Sequence, residues 1–308
     1  MAASAGLTSG EALRLLKLQA FFSQIPSRDA ALAAAVLYAA TSVAVLATTI
    51  KTRAWFMLIV AITGLCEVLG FAFRVVMIAD PKLAWLVAMQ LFLIVPPVLL
   101  AIVEYVAVGR LLCMSAAGRA SKLGGWTARL FTASDVICLL VQGAGGSLAG
   151  TSQEKAEVGR ALILAGLILQ LGFFTLFTGV AIHVQRTPRF GFRGCMALRP
   201  MFGCMYATIA LMYVRNIFRV IEFGQGYKGY LATHEVFFYV FDFVPIFSCF
   251  LLFTWLNYGF YFGAAEAAAA AADARAGSSG APKLVGDVEA AAGGNGALPM
   301  VVVEALGG

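Results

Sequence analysis

The chain has 308 residues, of which 61% are hydrophobic and only 12% are charged. An ordinary soluble domain carries about twice that charged share, because it must cover its surface with polar groups. The composition therefore excludes a soluble enzyme and, in spite of a net charge of +6, a nucleic-acid-binding protein. It predicts a membrane protein with several spans.

Seven apolar segments are long enough to cross the hydrocarbon core, for which a helix needs roughly 20 residues. They lie at 30–50, 54–79, 84–109, 127–149, 158–184, 200–221 and 234–261. The first segment begins too late and is too long for a cleaved signal peptide, so we expect it to be retained. Because runs of this length are too long for barrel strands, they predict an all-α membrane protein, a seven-transmembrane helix bundle.

Basic residues near the ends of the spans predict the orientation of the bundle. One side carries Lys51, Arg53, Arg110, Arg119, Lys122, Arg129, Arg186, Arg189, Arg193, Arg199, Arg275 and Lys283. The other side carries the smaller set Arg14, Lys17, Arg28, Lys82, Lys155, Arg160 and Lys228. Since cytosolic loops are enriched in Lys and Arg, we expect the N-terminus outside and the C-terminus in the cytosol.

These assignments divide the chain into three parts. Residues 1–29 are predicted to be an extracellular leader, and residues 30–261 the seven-helix transmembrane domain. Residues 262–308 are predicted to be an Ala- and Gly-rich, mostly disordered cytosolic tail. Within that tail, the alanine-rich stretch 264–274 favours an extension of the last helix.

Polar side chains inside the spans are the candidate functional residues, because a charge at membrane depth is costly unless it is paired or hydrated. In five spans they recur within about two helical turns, which places them on one face of each helix. The candidate polar cavity comprises Glu67, Arg74, Gln90, Asp135, Gln142, Gln170, Arg215, Arg219, Glu222, Glu235 and Asp242. A rise of about 1.5 Å per residue puts most of this set in the outer half of the bilayer.

A structural interpretation of the same residues stays open. Buried pairs such as Glu67 with Arg74 or Arg215 would also lock helix register without any further role. Glu222 and Glu235 would also serve as ordinary charges at the membrane surface.

Two local patterns predict features of the helices themselves. The adjacent prolines Pro96 and Pro97 predict a kink in span three, since both remove a backbone donor. Gly146 and Gly150 form a GxxxG pattern, which predicts a close helix contact at the outer end of span four.

Motifs for catalysis or cofactor binding do not appear in a fitting context. Gly224, Gly226 and Gly229 match GxGxxG, but they lie in an outer loop with no preceding strand. No span contains a lysine that would hold retinal. We therefore expect no enzymatic activity, no catalytic residue, no metal or cofactor, and neither a nucleotide nor a nucleic acid as partner.

Several segments resemble a known family. They are EVLGFAFR from Glu67, PVLLAIVEYVAVGR from Pro97, SDVICLLVQGAGG from Ser134, GLILQLGFF from Gly166, RNIFRVIEFGQGYKGYL from Arg215 and HEVFFYVFD from His234. In order and spacing they are similar to the fungal lipid-translocating exporters. This RTA-like group includes 7-aminocholesterol-resistance and sphingoid long-chain-base-resistance proteins. The chain departs from the family pattern in having Phe71 for tyrosine, a second proline at Pro96, and an acid at Glu104.

The resemblance implies a seven-span protein that moves amphiphiles such as sphingoid bases across the bilayer, or confers resistance to toxic ones. Separately, we expect the plasma membrane as its location, although no sorting signal in the sequence specifies it. Its partners would be membrane lipids or amphiphilic small molecules. As a hypothesis, Glu67, Glu235 and Asp242 hold the head group, and the arginines at 74, 215 and 219 balance these acids when the site is empty. The alternatives are a seven-helix receptor or lipid-stress sensor without transport activity and, less favoured, an intramembrane lipid-modifying enzyme.

Overall fold

The structure is a computed structural model that describes residue 18 and residues 26–120, 123–149, 153–226 and 229–280. Within these ranges the chain forms helices and turns and no strand. Seven helices in this part of the chain are long and apolar enough to cross a membrane. The prediction of a seven-helix bundle is confirmed, and the protein is an integral multi-pass membrane protein.

The bounds of the helices are close to the predicted spans. The first six are α1 (Arg28–Thr52), α2 (Leu58–Ala79), α3 (Leu83–Met114), α4 (Leu123–Ala149), α5 (Gln153–Arg186) and α6 (Arg199–Gln225). The seventh, α7, consists of the helix Glu235–Phe238, a π-helical turn Tyr239–Phe243 and the helix Val244–Trp255. A further helix, α8 (Phe262–Gly280), follows it.

We call the end of the bundle where α1 and α7 begin the outer end, after the predicted orientation, and the opposite end the inner end. Ser27 starts α1 at the outer end, where its Oγ accepts a hydrogen bond from the Ala30 N–H at 3.3 Å. At the inner end Arg53 adopts a left-handed conformation with φ 54°, which ends α1. The chain then turns back into α2.

Helices that follow one another in the sequence pack side by side from α1 to α5, and α7 packs against both α6 and α1. The approach of α4 to α5 is close enough to require glycine. A Cβ atom on Gly145 would lie 2.6 Å from the Gly159 carbonyl oxygen, whereas one on Gly146 would meet nothing within 4 Å. The GxxxG prediction is therefore wrong about the contacting residue, because the helix turns Gly145 rather than Gly146 toward α5. Gly150 lies outside the described residues.

The tail begins with a separate helix rather than an extension of α7. Leu256 leaves helical geometry, and the Asn257 side chain accepts a hydrogen bond from the Gly259 N–H at 2.9 Å, which starts a short turn. Beyond it, α8 packs across the inner end of the bundle with Ala265 and Ala269 fully buried. The predicted leader up to residue 25, apart from residue 18, and the predicted tail from residue 281 lie outside the described residues.

Candidate functional site

The centre of the candidate site is the carboxylate of Asp242 on α7, which two arginines of α6 bind. Arg215 Nε donates to Asp242 Oδ1 at 2.8 Å. Arg219 binds both oxygens, with Nε at 2.9 Å from Oδ1 and a terminal nitrogen at 2.7 Å from Oδ2. The two arginines are one helical turn apart on α6, so both reach the same carboxylate. Arg219 also donates to Glu222 at 3.2 Å.

Asp242 lies within the π-helical turn of α7. The Val244 N–H donates to the Tyr239 carbonyl, five residues back rather than four. Pro245 comes immediately afterwards and has no N–H to continue the α-helical pattern. Such widened turns are often found at functional sites. Here the turn places Asp242 against α6.

Arg215 also donates a hydrogen bond to a backbone carbonyl of α3, which a proline of that helix leaves without its usual partner. Its terminal nitrogen donates to the Leu93 carbonyl oxygen at 3.2 Å. In an unbroken helix that carbonyl would accept from the residue four positions on, but that residue is Pro97 and has no N–H. The proline thus frees a backbone acceptor inside the membrane, and Arg215 uses it.

A second ion pair lies next to these residues. We call Arg74, Arg215, Arg219, Glu222, Glu235 and Asp242 together the charged network. Arg74 on α2 donates to Glu235 on α7 at 2.6 Å, and the Glu235 carboxylate also accepts from the Ser27 N–H at 2.9 Å. The Phe238 ring lies between the two pairs, 4.8 Å from the Arg74 guanidinium carbon and 5.7 Å from that of Arg219. A cation over an aromatic face is attracted by the ring, so Phe238 links the two pairs.

Glu67 on α2 is the candidate acid whose surroundings differ most from those of Asp242. The residue is only 4% exposed, and its side chain makes no hydrogen bond or ion pair with the described residues. The charged groups that act on it are Asp242, Arg215 and Arg219. Neither pair suggested for Glu67 forms: Arg215 binds Asp242 instead, and Arg74 binds Glu235. Arg74 lies about 10 Å further along the same helix axis, where Glu235 meets it instead.

The network is closed in this conformation. Arg215, Arg219 and Asp242 are each at most 6% exposed, so their polar groups contact one another rather than an aqueous opening. Two cavities of about 160 and 340 Å³ lie instead at the inner end. Any passage past the network requires its ion pairs to rearrange.

The remaining candidate residues lie apart from this network. Gln142 on α4 donates to Gln170 on α5 at 2.9 Å in a buried amide pair. Asp135 accepts a hydrogen bond of 2.7 Å from the Tyr105 hydroxyl in the inner half of the bundle. Gln90 is partly exposed, and its side chain makes no hydrogen bond within the described chain.

One polar cluster was not among the sequence candidates. Glu104 on α3 has no exposed surface and accepts hydrogen bonds from the hydroxyls of Thr208 at 2.6 Å and Tyr258 at 2.9 Å. The sequence could have indicated Glu104, because it is an acid within an apolar segment, which is the criterion that selected Glu67. Within the described residues, no group of three or more His, Cys, Asp or Glu side chains is placed to hold a metal ion.

Comparisons with known proteins agree with this architecture. The chain is 34% identical to Protein RTM1 of Saccharomyces cerevisiae over 58% of its own length and 60% of the relative's. It is 31% identical to Protoporphyrin uptake protein 1 of the same species, over 64% and 66% of the two lengths. Against the probable lipid transporter atnI of Emericella nidulans it is 28% identical over 65% and 56%. The chain thus matches less than two thirds of the length of these relatives.

No solved structure matches the chain. The family described as RTA1 like protein matches residues 60–265, a range that contains Glu67 and the whole charged network from Arg74 to Asp242. That match extends from the first turn of α2 into α8 and covers most of the chain. The protein therefore belongs to the RTA1-like family.

Proposed function

We propose that this protein moves amphiphilic lipids with a cationic head group, such as sphingoid bases, across the plasma membrane, and that it does so without enzymatic chemistry. Its relatives support a role in moving lipids or other amphiphiles, since one is named a probable lipid transporter and another is named for the uptake of protoporphyrin. The residues of the charged network supply the preference for a cation.

The main support for this function is the charge balance around Glu67. Among the described residues, three arginines and four carboxyl groups lie in the network or beside it. Glu222, Glu235 and Asp242 each bind an arginine there, whereas Glu67 binds none. An unpaired carboxylate at membrane depth is costly. A positively charged head group at Glu67 would remove that cost, and so would a proton.

A proton and an amine therefore compete for the same carboxyl group, and exchanging one for the other provides a route to coupled movement. The head group would pass the network when Arg215 and Arg219 shift between Asp242 and Glu67. The hydrocarbon tail would stay in lipid along the apolar helix surfaces. Without nucleotide hydrolysis, such movement runs downhill or is driven by an ion gradient.

Purified protein in liposomes with a fluorescent sphingoid base tests the proposal. The rate at which the probe changes leaflet is read from its quenching by a reductant added outside. We expect the wild-type protein to raise this rate, and Glu67→Gln to lower it by at least about tenfold, the effect of losing one charged hydrogen bond. Glu157→Gln is the matched control, because Glu157 is an exposed acid of α5 outside the network, and it should move the probe like wild type.

A wild-type rate equal to that of empty liposomes would refute translocation. If the probe nevertheless bound to the protein with Glu67-dependent affinity, the lipid-sensor alternative would replace it. A folded Glu67→Gln variant with wild-type flux would show that the head group is held elsewhere.

A further inference from the structure

The inner end of the bundle contains an open cavity of about 340 Å³ that the charged network does not use. It lies where the end of α3, the short helix Ala116–Ala120 and the start of α4 meet. Arg119, Trp126 and Arg129 line it together with several glycines. One of these, Gly125, points into open space, where a Cβ atom would meet nothing within 4 Å.

The two arginines give this cavity a positive charge. Arg129 is exposed, and its guanidinium group makes no hydrogen bond or ion pair within the described residues. Arg119 is held at the rim, since one terminal nitrogen donates to the Met114 carbonyl at 2.6 Å. Its other terminal nitrogen lies 3.4 Å from Asp273 of α8, a long contact that leaves donor capacity unused.

An exposed aromatic side chain lies beside these charges. Trp126 is 68% exposed and precedes Arg129 by three residues, so both lie on one face of α4. Both also belong to the first turns of that helix, where it enters the membrane. Tryptophan prefers this interfacial depth, because its ring meets hydrocarbon while its N–H meets water. Leu130, also exposed, continues the apolar surface toward the bilayer.

We infer that this cavity binds the phosphate of an anionic lipid head group in the leaflet at the inner end. Arginine binds phosphate oxygens with paired, charge-assisted hydrogen bonds, and basic pockets between transmembrane helices are known to take such head groups. The apolar surface of Trp126 and Leu130 favours a lipid over a free anion, because it gives the acyl chains a place next to the charge. The site is separate from the charged network and selects the opposite charge.

Native mass spectrometry of the detergent-solubilised protein tests this site with dioctanoyl phosphatidic acid as the probe. We expect Arg129→Gln to weaken binding by at least about tenfold, as for the loss of one charged hydrogen bond. Because the Arg129 side chain is exposed and makes no hydrogen bond or ion pair within the described residues, we expect this variant to fold like wild type. Arg193→Gln is the control, because Arg193 is also exposed at the inner end but does not line this cavity, and it should bind like wild type.

Two competitors identify the ligand. Dioctanoyl phosphatidylcholine, which carries no net charge, should bind more weakly than phosphatidic acid, and inorganic phosphate should not displace the lipid at equal concentration. Equal binding of the two lipids, displacement by inorganic phosphate, or unchanged affinity in Arg129→Gln would each overturn the inference.

Discussion

Buried carboxyl groups in this protein are stabilised in two different ways. Asp242 accepts hydrogen bonds from two arginines, so its charge is balanced. Glu104 and Asp135 instead accept hydrogen bonds from neutral hydroxyls. Glu67 has neither kind of partner in the described chain, and this difference makes it the residue to which we assign head-group binding.

Asp242→Asn should destabilise the protein far more than Glu222→Gln. The first change leaves two buried guanidinium groups without their carboxylate, for which a cost of about 3–5 kcal/mol is expected. The second removes one hydrogen bond of 3.2 Å at a partly exposed residue and should cost under about 1 kcal/mol. Thermal unfolding of the detergent-solubilised variants measures both. Equal losses would mean that Asp242 is not the centre of the network.

For individual residues, the sequence predicted which face of a helix a polar side chain lies on better than it predicted which residue that side chain binds. The spacing of polar residues on each helix placed Asp242, Arg215 and Arg219 on inward faces, because lipid excludes charge. It did not reveal that Arg74 binds Glu235, since that contact depends on the relative heights of α2 and α7. Periodicity within one helix contains no information about the height of its neighbour.

Among the helices, the contact between α4 and α5 provides a matched pair of substitutions. Gly145→Ala would place a methyl group 2.6 Å from the backbone oxygen of Gly159, so we expect a loss of about 1–3 kcal/mol from overpacking. Gly146→Ala adds the same group in open space and should be neutral, or stabilising by up to about 1 kcal/mol through helix propensity. Thermal unfolding compares the two. The reverse order would restore the GxxxG interpretation.

Of the two prolines of α3, only Pro97 should be energetically coupled to Arg215. Restoring an N–H with Pro97→Ala gives the Leu93 carbonyl a helical partner, so the effect of Arg215→Gln should change by about 0.5 kcal/mol or more in a double-mutant cycle. Pro96→Ala restores a donor for the Phe92 carbonyl instead and should be additive with Arg215→Gln. Coupling of equal size at both prolines would contradict the role assigned to the Leu93 carbonyl.

The existence of the seven helices could be predicted from the length of the apolar segments. The π-helical turn in α7 and the docking of α8 could not. The π-helical turn around Asp242 depends on how α7 packs against α6, which one sequence does not encode as a motif. α8 docks so close to Gly191 that a Cβ atom there would lie 2.7 Å from the Ala272 methyl carbon, whereas alanine-rich composition alone predicted only a helix.

For the whole molecule, the distribution of basic residues predicts that the inner end faces the cytosol. An N-glycosylation site inserted after Gly229 should then be modified in cells, and one inserted after Gly194 should not. Both positions lie in loops between spans, at opposite ends of the bundle. Modification of the second and not the first would reverse the orientation and would place the phosphate site in the outer leaflet.

Selection of a cationic head group by Glu67 can be tested by comparing two cargoes in the same proteoliposomes. One is a fluorescent sphingoid base with a free amine, and the other is its uncharged N-acylated analogue. We predict that wild-type protein moves the amine at least about tenfold faster than the analogue, and that Glu67→Gln abolishes this preference. Equal rates for the two cargoes with wild-type protein would contradict the account.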